Sequence, residues 1–450
     1  MDYDKRIDLL HEAEEDIWFE RVLKTRSDGS LCAWASSLHP QQLSCHLDGN
    51  FLNGPYNIAQ KLLFEDSTAL ILRFPRVSSV SHRHADEKVA MEVEALRLIR
   101  QETALPVPEV WVWGVADMNP LDLGPFILMT FIEGICLKDM ANIMLQLFKI
   151  DFRRISSLPA ITTNFVVPTR PLTWKAHDIL RTGGVNTFGH RNQEFSTTRQ
   201  YFHYVLGQDW QQLQNQPNSV AGETTALLRY TSLKVLESLI PEMVAPEFDE
   251  GPFKLICDDL GLANMIVKSS EDLTIVGIVD LEWAYAGPAQ LFCSAPWWLL
   301  YDRPINPEWD FKMGKAPGLN DRFFKYLDMF VRILAEEESK TLGSKEVSTL
   351  VKWSVDSGAM WLHMLLSCGF LDMGSFPCVQ LQKQIGLDRW GQALEEVRDT
   401  TEVKNFIERK MNDLIKYDED LDKVEDYNTA GKMTREDFVA SVRSFLSVDE

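Results

Sequence analysis

Three oxygen-bearing side chains, Asp259, Asn264 and Asp280, lie in the segment CDDLGLANMIVKSSEDLTIVGIVD at spacings that a phosphoryl-transfer site would use. Asp259 and Asn264 share a short loop, and an apolar run, Met265 to Val267, follows at once. A second run, Leu273 to Val279, ends at Asp280, and the polar cluster Ser269-Ser270-Glu271-Asp272 between the runs has turn chemistry. The midpoint of positions 264 and 280 falls on Asp272, so antiparallel pairing returns Asp280 to the end of the hairpin where Asn264 stands. A carboxylate and a carboxamide placed together can share a hard cation such as Mg²⁺, which prefers oxygen ligands. Asp259, beside them, would accept or orient the proton of an attacking hydroxyl. The Asp-x4-Asn spacing alone says little, since about one accidental match is expected in a chain this long. The hairpin and its terminal Asp make the pattern specific.

The elements around this segment suggest what positions it. Residues 1–40 open with a charged helical pattern and run to the His39-Pro40 break, which predicts an arm laid against the main body. Residues 41–134 read as strand-rich, with apolar runs at Ile58 to Phe64 and Ala69 to Phe74, the second containing Arg73. The turn-forming stretch from Gly49 through Asn53 to Asn57 precedes the first run; glycines five apart let a backbone approach phosphates, and the same pattern fits an ordinary hairpin turn equally. From Glu87 to Glu102 the spacing predicts a helix with Val89, Val93, Leu96 and Ile99 on one face. Glu92 lies off that stripe, where it either stands in solvent or pairs with Arg73 if the helix packs over the sheet. The run Pro125 to Gly134 reads as a buried strand leading into a hinge, where free backbone groups could meet an adenine edge.

Residues 135–416 read as mainly helical. Aromatics between Pro296 and Trp309 fit a core better than a cleft lining. The acidic tail, 417–450, contains a partial calcium-loop pattern from Asp426, but Ala430 and Asp437 stand where ligand oxygens are wanted; a solvated charge run ahead of a short helix is the better reading.

With 45 basic against 66 acidic residues the net charge is −21, which argues against nucleic acid or an anionic membrane as the main partner. Apolar content of 45% and charged content of 25% are those of a globular chain. Seven cysteines, an odd set without close pairs, predict reduced thiols in a cytoplasmic compartment. The N-terminal segment has no apolar core of a signal peptide, and no run reaches membrane-span length.

The chain resembles the aminoglycoside phosphotransferase family of protein-kinase-like enzymes, and within it the fungal group. The resemblance spans residues 41–400 and rests on ICDDLGLANMIV with GIVDLEWA, LILRFP, KVAMEVEALRLIRQETALPVPEV, FILMTFIEG, and FRRISSLPA with VVPTRPLTW. It implies an α+β, two-lobed protein-kinase-like fold: a small antiparallel-sheet lobe with one main helix, and a larger, mostly helical lobe, with ATP and Mg²⁺ between them. On the family pattern Asp259 takes the catalytic position, and Asn264 and Asp280 take the metal positions. Arg73 stands where relatives have a phosphate-contacting basic residue, Glu92 matches its helix partner, and Thr130 and Ile132 offer backbone groups to adenine. Gly49 and Asn53 fall in the turn that would cover the phosphates. Cys257 replaces the family's usual His, and Arg for Lys at position 73 exchanges a point charge for a fork. Two function classes follow: a kinase acting on a hydroxyl of a small molecule, or a non-catalytic kinase-like protein that binds a nucleotide or metabolite and acts through partners. Neither the acceptor nor the oligomeric state is written in the sequence.

Overall fold

The computed structural model describes residues 4–54, 56–130, 137–158, 167–261, 264–267, 275–300, 319–367, 375–429 and 433–446. Two helices, α1 (Lys5–Ser27) and α2 (Ser30–Leu38), precede a sheet built from β1 (Cys45–Leu47), β2 (Leu52–Asn53), β3 (Asn57–Phe64) and β4 (Ala69–Pro75). Helix α3 (His82–Glu102) then leads to β5 (Val110–Gly114) and β6 (Phe126–Thr130). The strands pair antiparallel in the order β1-β3-β4-β6-β5, with β2 also on β3.

Strand alternation decides which side chain goes where. On β4, Leu70, Leu72 and Phe74 point to one face and join Ile58, Leu62, Phe64, Phe126 and Leu128 in a core closed by Trp18, Val22, Leu31 and Trp34 of the first two helices. Ile127 and Met129 of β6 face the other way, into the core that holds Val89, Val93, Leu96 and Ile99 of α3. Arg73 has the parity of that second face. The sheet is therefore sandwiched: the expected arm forms one outer layer, α3 the other. Helix α3 begins at His82, five residues ahead of the expected start, with Ser81 as the residue before its first turn.

The chain continues through α4 (Leu137–Leu147), β7 (Asp151–Phe152), β8 (Ser156–Ser157), α5 (Trp174–Gly183), α6 (Thr198–Asn215), α7 (Glu223–Leu239) and β9 (Phe253–Cys257). The hairpin β10 (Met265–Val267) and β11 (Ile275–Ile278) precedes β12 (Ala284–Gly287), and the second sheet has the order β7-β9-β12-β8. Helices α8 (Ala289–Phe292), α9 (Leu319–Thr341), α10 (Glu346–Asp356), α11 (Ala359–Ser367), α12 (Phe376–Ile385) and α13 (Leu387–Arg398) complete the helical part. Among the described residues no helix is long and apolar enough to cross a membrane.

The acidic segment is not a solvated run. Helix α14 (Thr401–Thr429) passes through position 417, and α15 (Arg435–Leu446) follows. Val424, Phe438 and Val442 are buried against Leu10 of α1, and the Tyr417 hydroxyl accepts from the Lys5 amide at 3.1 Å. Apolar residues at helical spacing inside the acidic stretch supply the docking face that net charge obscured. Asp426 is helical, so no calcium loop starts there.

The arm's anchoring is testable. Trp18 is 4% exposed and its indole N–H donates to the Leu123 carbonyl at 3.2 Å. Trp18→Ala should cost about 3–5 kcal/mol in urea unfolding, whereas Leu23→Ala on the exposed side of the same helix should stay within about 0.5 kcal/mol.

Candidate active site

Strand β9 delivers the loop, and the hairpin closes it. The Leu260 amide donates to the Cys257 carbonyl and the Asn264 amide to Gly261, each at 3.0 Å, so the loop turns tightly around Asp259. Met265 pairs with Ile278, and the Val279 amide donates to the Asn264 carbonyl at 2.9 Å. The pairing is antiparallel as expected but one residue out of the register that the midpoint predicts: Asn264 falls opposite Val279, which brings the start of β10 beside the backbone that leads into Asp280. The expected turn at Ser269 to Asp272 lies outside the described residues. The Asn264 carboxamide donates to the Asp259 carbonyl at 2.8 Å and its carboxylate at 3.2 Å. Asp280 itself sits at φ 60°, in the left-handed region, which a non-glycine residue adopts only where its surroundings hold it.

The second half of the site is a cluster of buried charge. Arg73 pairs with Glu92, as the parity of β4 and α3 allows, and its guanidinium also lies 3.0 Å from Asp280 Oδ1 and 3.5 Å from Glu282 Oε2. Lys88, one helical turn before Glu92, pairs with Glu282 and lies 3.1 Å from Asn57 Oδ1. Glu282 also accepts from Asn57 Nδ2 at 2.8 Å and Trp283 Nε1 at 3.1 Å. Glu92 and Glu282 are each 1% exposed, so every charge here needs a partner.

Two cations face three carboxylates, and the imbalance shows in the titration. Burial, then the Glu282 charge, pushes Asp280 up to about 7, with Arg73 opposing. Burial raises Glu92 against the pull of Arg73. For Glu282 burial acts upward, but Lys88, Arg73 and Asn57 outweigh it and hold the carboxyl below its usual value. Asp280 Oδ1 and Glu92 Oε1 are buried and accept no hydrogen bond; Arg73 reaches Asp280 as a charge, not with hydrogen-bond geometry. Oxygens of Glu92, Asp280 and Glu282 lie within 4.8 Å of one another. Such a set suits a hard cation; the Asn264 amide nitrogen is spent on Asp259.

The remaining expected residues are placed differently. Thr130 donates its amide to the Glu109 carbonyl at 3.0 Å and accepts the Glu109 amide on its hydroxyl at 2.9 Å, so both groups serve the β6 end. Ile132 lies outside the described residues. Gly49 occupies a turn at φ 74° and its carbonyl accepts from Arg26 at 2.9 Å. Asn53 pairs in β2 with Ile58, and the Gly54 amide donates to Asn57 at 3.0 Å: an ordinary hairpin turn. Asn57 is the residue of that segment that reaches the charge cluster. Lys88, Glu282 and Asn57 were not among the expected site residues, although Lys88 at four before Glu92 and Glu282 at two after Asp280 carry a spacing signal. Cys257 is half-buried; loss of water and the negative charge of Asp258 push its thiol up to about 12, so it is neutral.

On the other side of the loop is a cavity of about 130 Å³, lined by Cys257, Asp258, Leu260, Trp297, Trp298 and His363 among others. Trp298 is 5% exposed and part of the core, so it serves as core and cavity wall at once.

No protein-family model matches the chain. It is similar to the clavilactone A biosynthesis cluster protein Y of Ampulloclitocybe clavipes, 22% identical over 278 residues, which are 56% of this chain and 64% of that protein. The chain thus spans less than two thirds of that relative's length. Among solved structures it is similar to an ethanolamine kinase of Plasmodium vivax, 14% identical over 82% of each chain with a TM-score of 0.40. It is also similar to a macrolide 2′-phosphotransferase of Brachybacterium faecium, 14% identical over 72% of this chain and 96% of that one with a TM-score of 0.36.

The raised Asp280 carboxyl has a measurable sign. Between its ordinary 3.8 and about 7, the folded protein holds a proton that the unfolded chain has released, so this group's contribution to stability is lost as pH rises through that window. Urea unfolding at a series of pH values should therefore show Asp280→Asn gaining on the wild type from pH 4 to 7. A constant difference across that range would mean that Asp280 titrates normally.

Proposed function

We propose that the chain is an ATP-dependent phosphotransferase acting on a hydroxyl of a small molecule. The observation that carries the reading is the Arg73 guanidinium, which meets Glu92 from α3 and Asp280 from the hairpin while the same hairpin carries Asn264 to Asp259. Five residues from three separate segments converge with the chemistry that phosphoryl transfer uses. Nucleotide would bind between the antiparallel sheet of residues 41–134 and the helical part of residues 135–416, the two-lobed organisation that the family resemblance implies. Asn264 and Asp280 would hold Mg²⁺, and Arg73, kept in place by Glu92, would offer its fork to phosphate oxygens. When bound, the magnesium nucleotide supplies the phosphoryl group and screens its charge. To hold the cation, Asp280 would have to give up Arg73 and its proton. Asp259, fixed by the Asn264 carboxamide, orients the acceptor hydroxyl and takes its proton. The cavity flanking the loop is the natural place for the acceptor.

Two observations favour a second reading, a non-catalytic kinase-like protein. Asp280 is committed to Arg73, and Cys257 is a neutral thiol where a His would support the loop. A panel of hydroxyl-bearing metabolites assayed for ADP release with Mg²⁺ separates the two. Wild type should release ADP with a subset of acceptors, and Asp259→Ala should lower that rate by about 10²-fold or more. Equal ADP yields from wild type and mutant across the panel would leave the non-catalytic reading standing.

A further inference from the structure

Away from this site, the connection between α2 and β1 folds two cysteines together. As α2 ends, the His39 amide donates to the Ser36 carbonyl at 3.2 Å and the Gln42 amide to the His39 carbonyl at 2.8 Å, so the chain reverses in two tight turns. The Ser36 hydroxyl then fixes Cys45 twice. It accepts the Cys45 amide at 3.2 Å and donates to Cys45 Sγ at 3.5 Å. Cys45 Sγ in turn lies 3.5 Å from the Cys32 carbonyl oxygen. A side chain with a single heavy-atom torsion thus already touches the other cysteine's backbone.

The two thiols also act on one another. Burial first, then the charge and hydrogen bond of Cys45, push the Cys32 thiol up to about 11. Both residues are half-buried at the margin of the core that holds Leu31, Trp34, Phe64 and Phe74, so part of each remains within reach of solvent. Strand β1 stands at the edge of its sheet and pairs with β3 only through Cys45, His46 and Leu47. A short edge strand of this kind is held by few backbone bonds and opens readily.

We propose that Cys32 and Cys45 form a reversible disulfide, made by exchange with a low-molecular-weight disulfide, that staples α2 to β1. Cys45, whose sulfur already receives from Ser36 the kind of donor that favours a thiolate, attacks one sulfur of the small disulfide RSSR. The RS–SR bond breaks, one thiolate leaves and takes up a proton, and a mixed disulfide stands on Cys45. Cys32 then loses its proton, attacks the Cys45 sulfur and displaces the second thiolate. The two protein thiols have given up two electrons and two protons, and RSSR has become two RSH. Rotation of the two side chains between staggered rotamers is the movement the second step asks for. The bond fixes the outer helical layer against the sheet whose β4 carries Arg73, and it does not depend on the chain being a kinase.

The full chain, folded and without urea, is equilibrated with reduced and oxidised glutathione at graded ratios, quenched with N-ethylmaleimide and digested with trypsin. No Lys or Arg lies between positions 27 and 60, so both cysteines fall in the peptide 27–61. As the oxidised fraction rises, that peptide should pass from two alkyl groups to none and become two hydrogens lighter than the dithiol, and dithiothreitol should reverse the change. Cys32→Ser should retain glutathione on Cys45 for want of a resolving thiol. Oxidised wild type should unfold at a higher urea concentration than reduced wild type, a shift that Cys45→Ser should lose. Two alkyl groups on the wild-type peptide at every ratio, glutathione there in place of the internal bond, or a bond that forms only in urea overturns the proposal. The wild-type peptide map decides on its own should a variant fold poorly.

Discussion

The structure turns on one buried cation. Arg73 sits inside a sheet-to-helix interface where an unpaired guanidinium could not be accommodated, so its three carboxylate neighbours fix how β4, α3 and the hairpin-β12 connection stand relative to one another. One of these carboxylates is committed further, Glu282 to Lys88, Asn57 and Trp283. Removing one member of such a set strands the others without water, which makes the arrangement specific even where its net energy is small.

That constraint explains why so much of the chain supports α3. Arg170 grips Glu87 with two bonds of 2.9 and 3.0 Å, and His177 accepts the Ser81 amide at 2.9 Å just ahead of the first turn. The helical part of the chain thus holds α3 at its start, and the sheet holds it along its length. The arm and α15 complete the packing from the far side of the sheet. The charge cluster itself is left one cation short, and the shortfall falls on Asp280, the least buried of its carboxylates.

What the sequence could reveal follows from how local each signal is. Asp259, Asn264 and Asp280 sit on one segment, so their spacing predicts the antiparallel pairing that carries Asn264 to the backbone just before Asp280. Arg73 and Glu92 required one further step, the parity of a strand and the face of a helix, and that too was legible. Lys88 was not: a lysine on a helix is ordinarily solvated, and only the partner Glu282, almost two hundred positions away, draws it inside. At Thr130 the strand end uses the amide and hydroxyl for Glu109, a pairing that no spacing reveals. In the acidic tail, composition masked a helical apolar stripe through Val424 that docks on α1.

The account's central claim is that the Arg73 cluster is a nucleotide-phosphate site completed by a divalent cation at Asp280. Calorimetric titration of ATP with and without Mg²⁺, on wild type and on Asp280→Asn, tests it most directly. Binding should strengthen with Mg²⁺ in the wild type and lose that dependence in Asp280→Asn. Nucleotide binding that ignores both Mg²⁺ and the Asp280 substitution, or no binding at all, would contradict it.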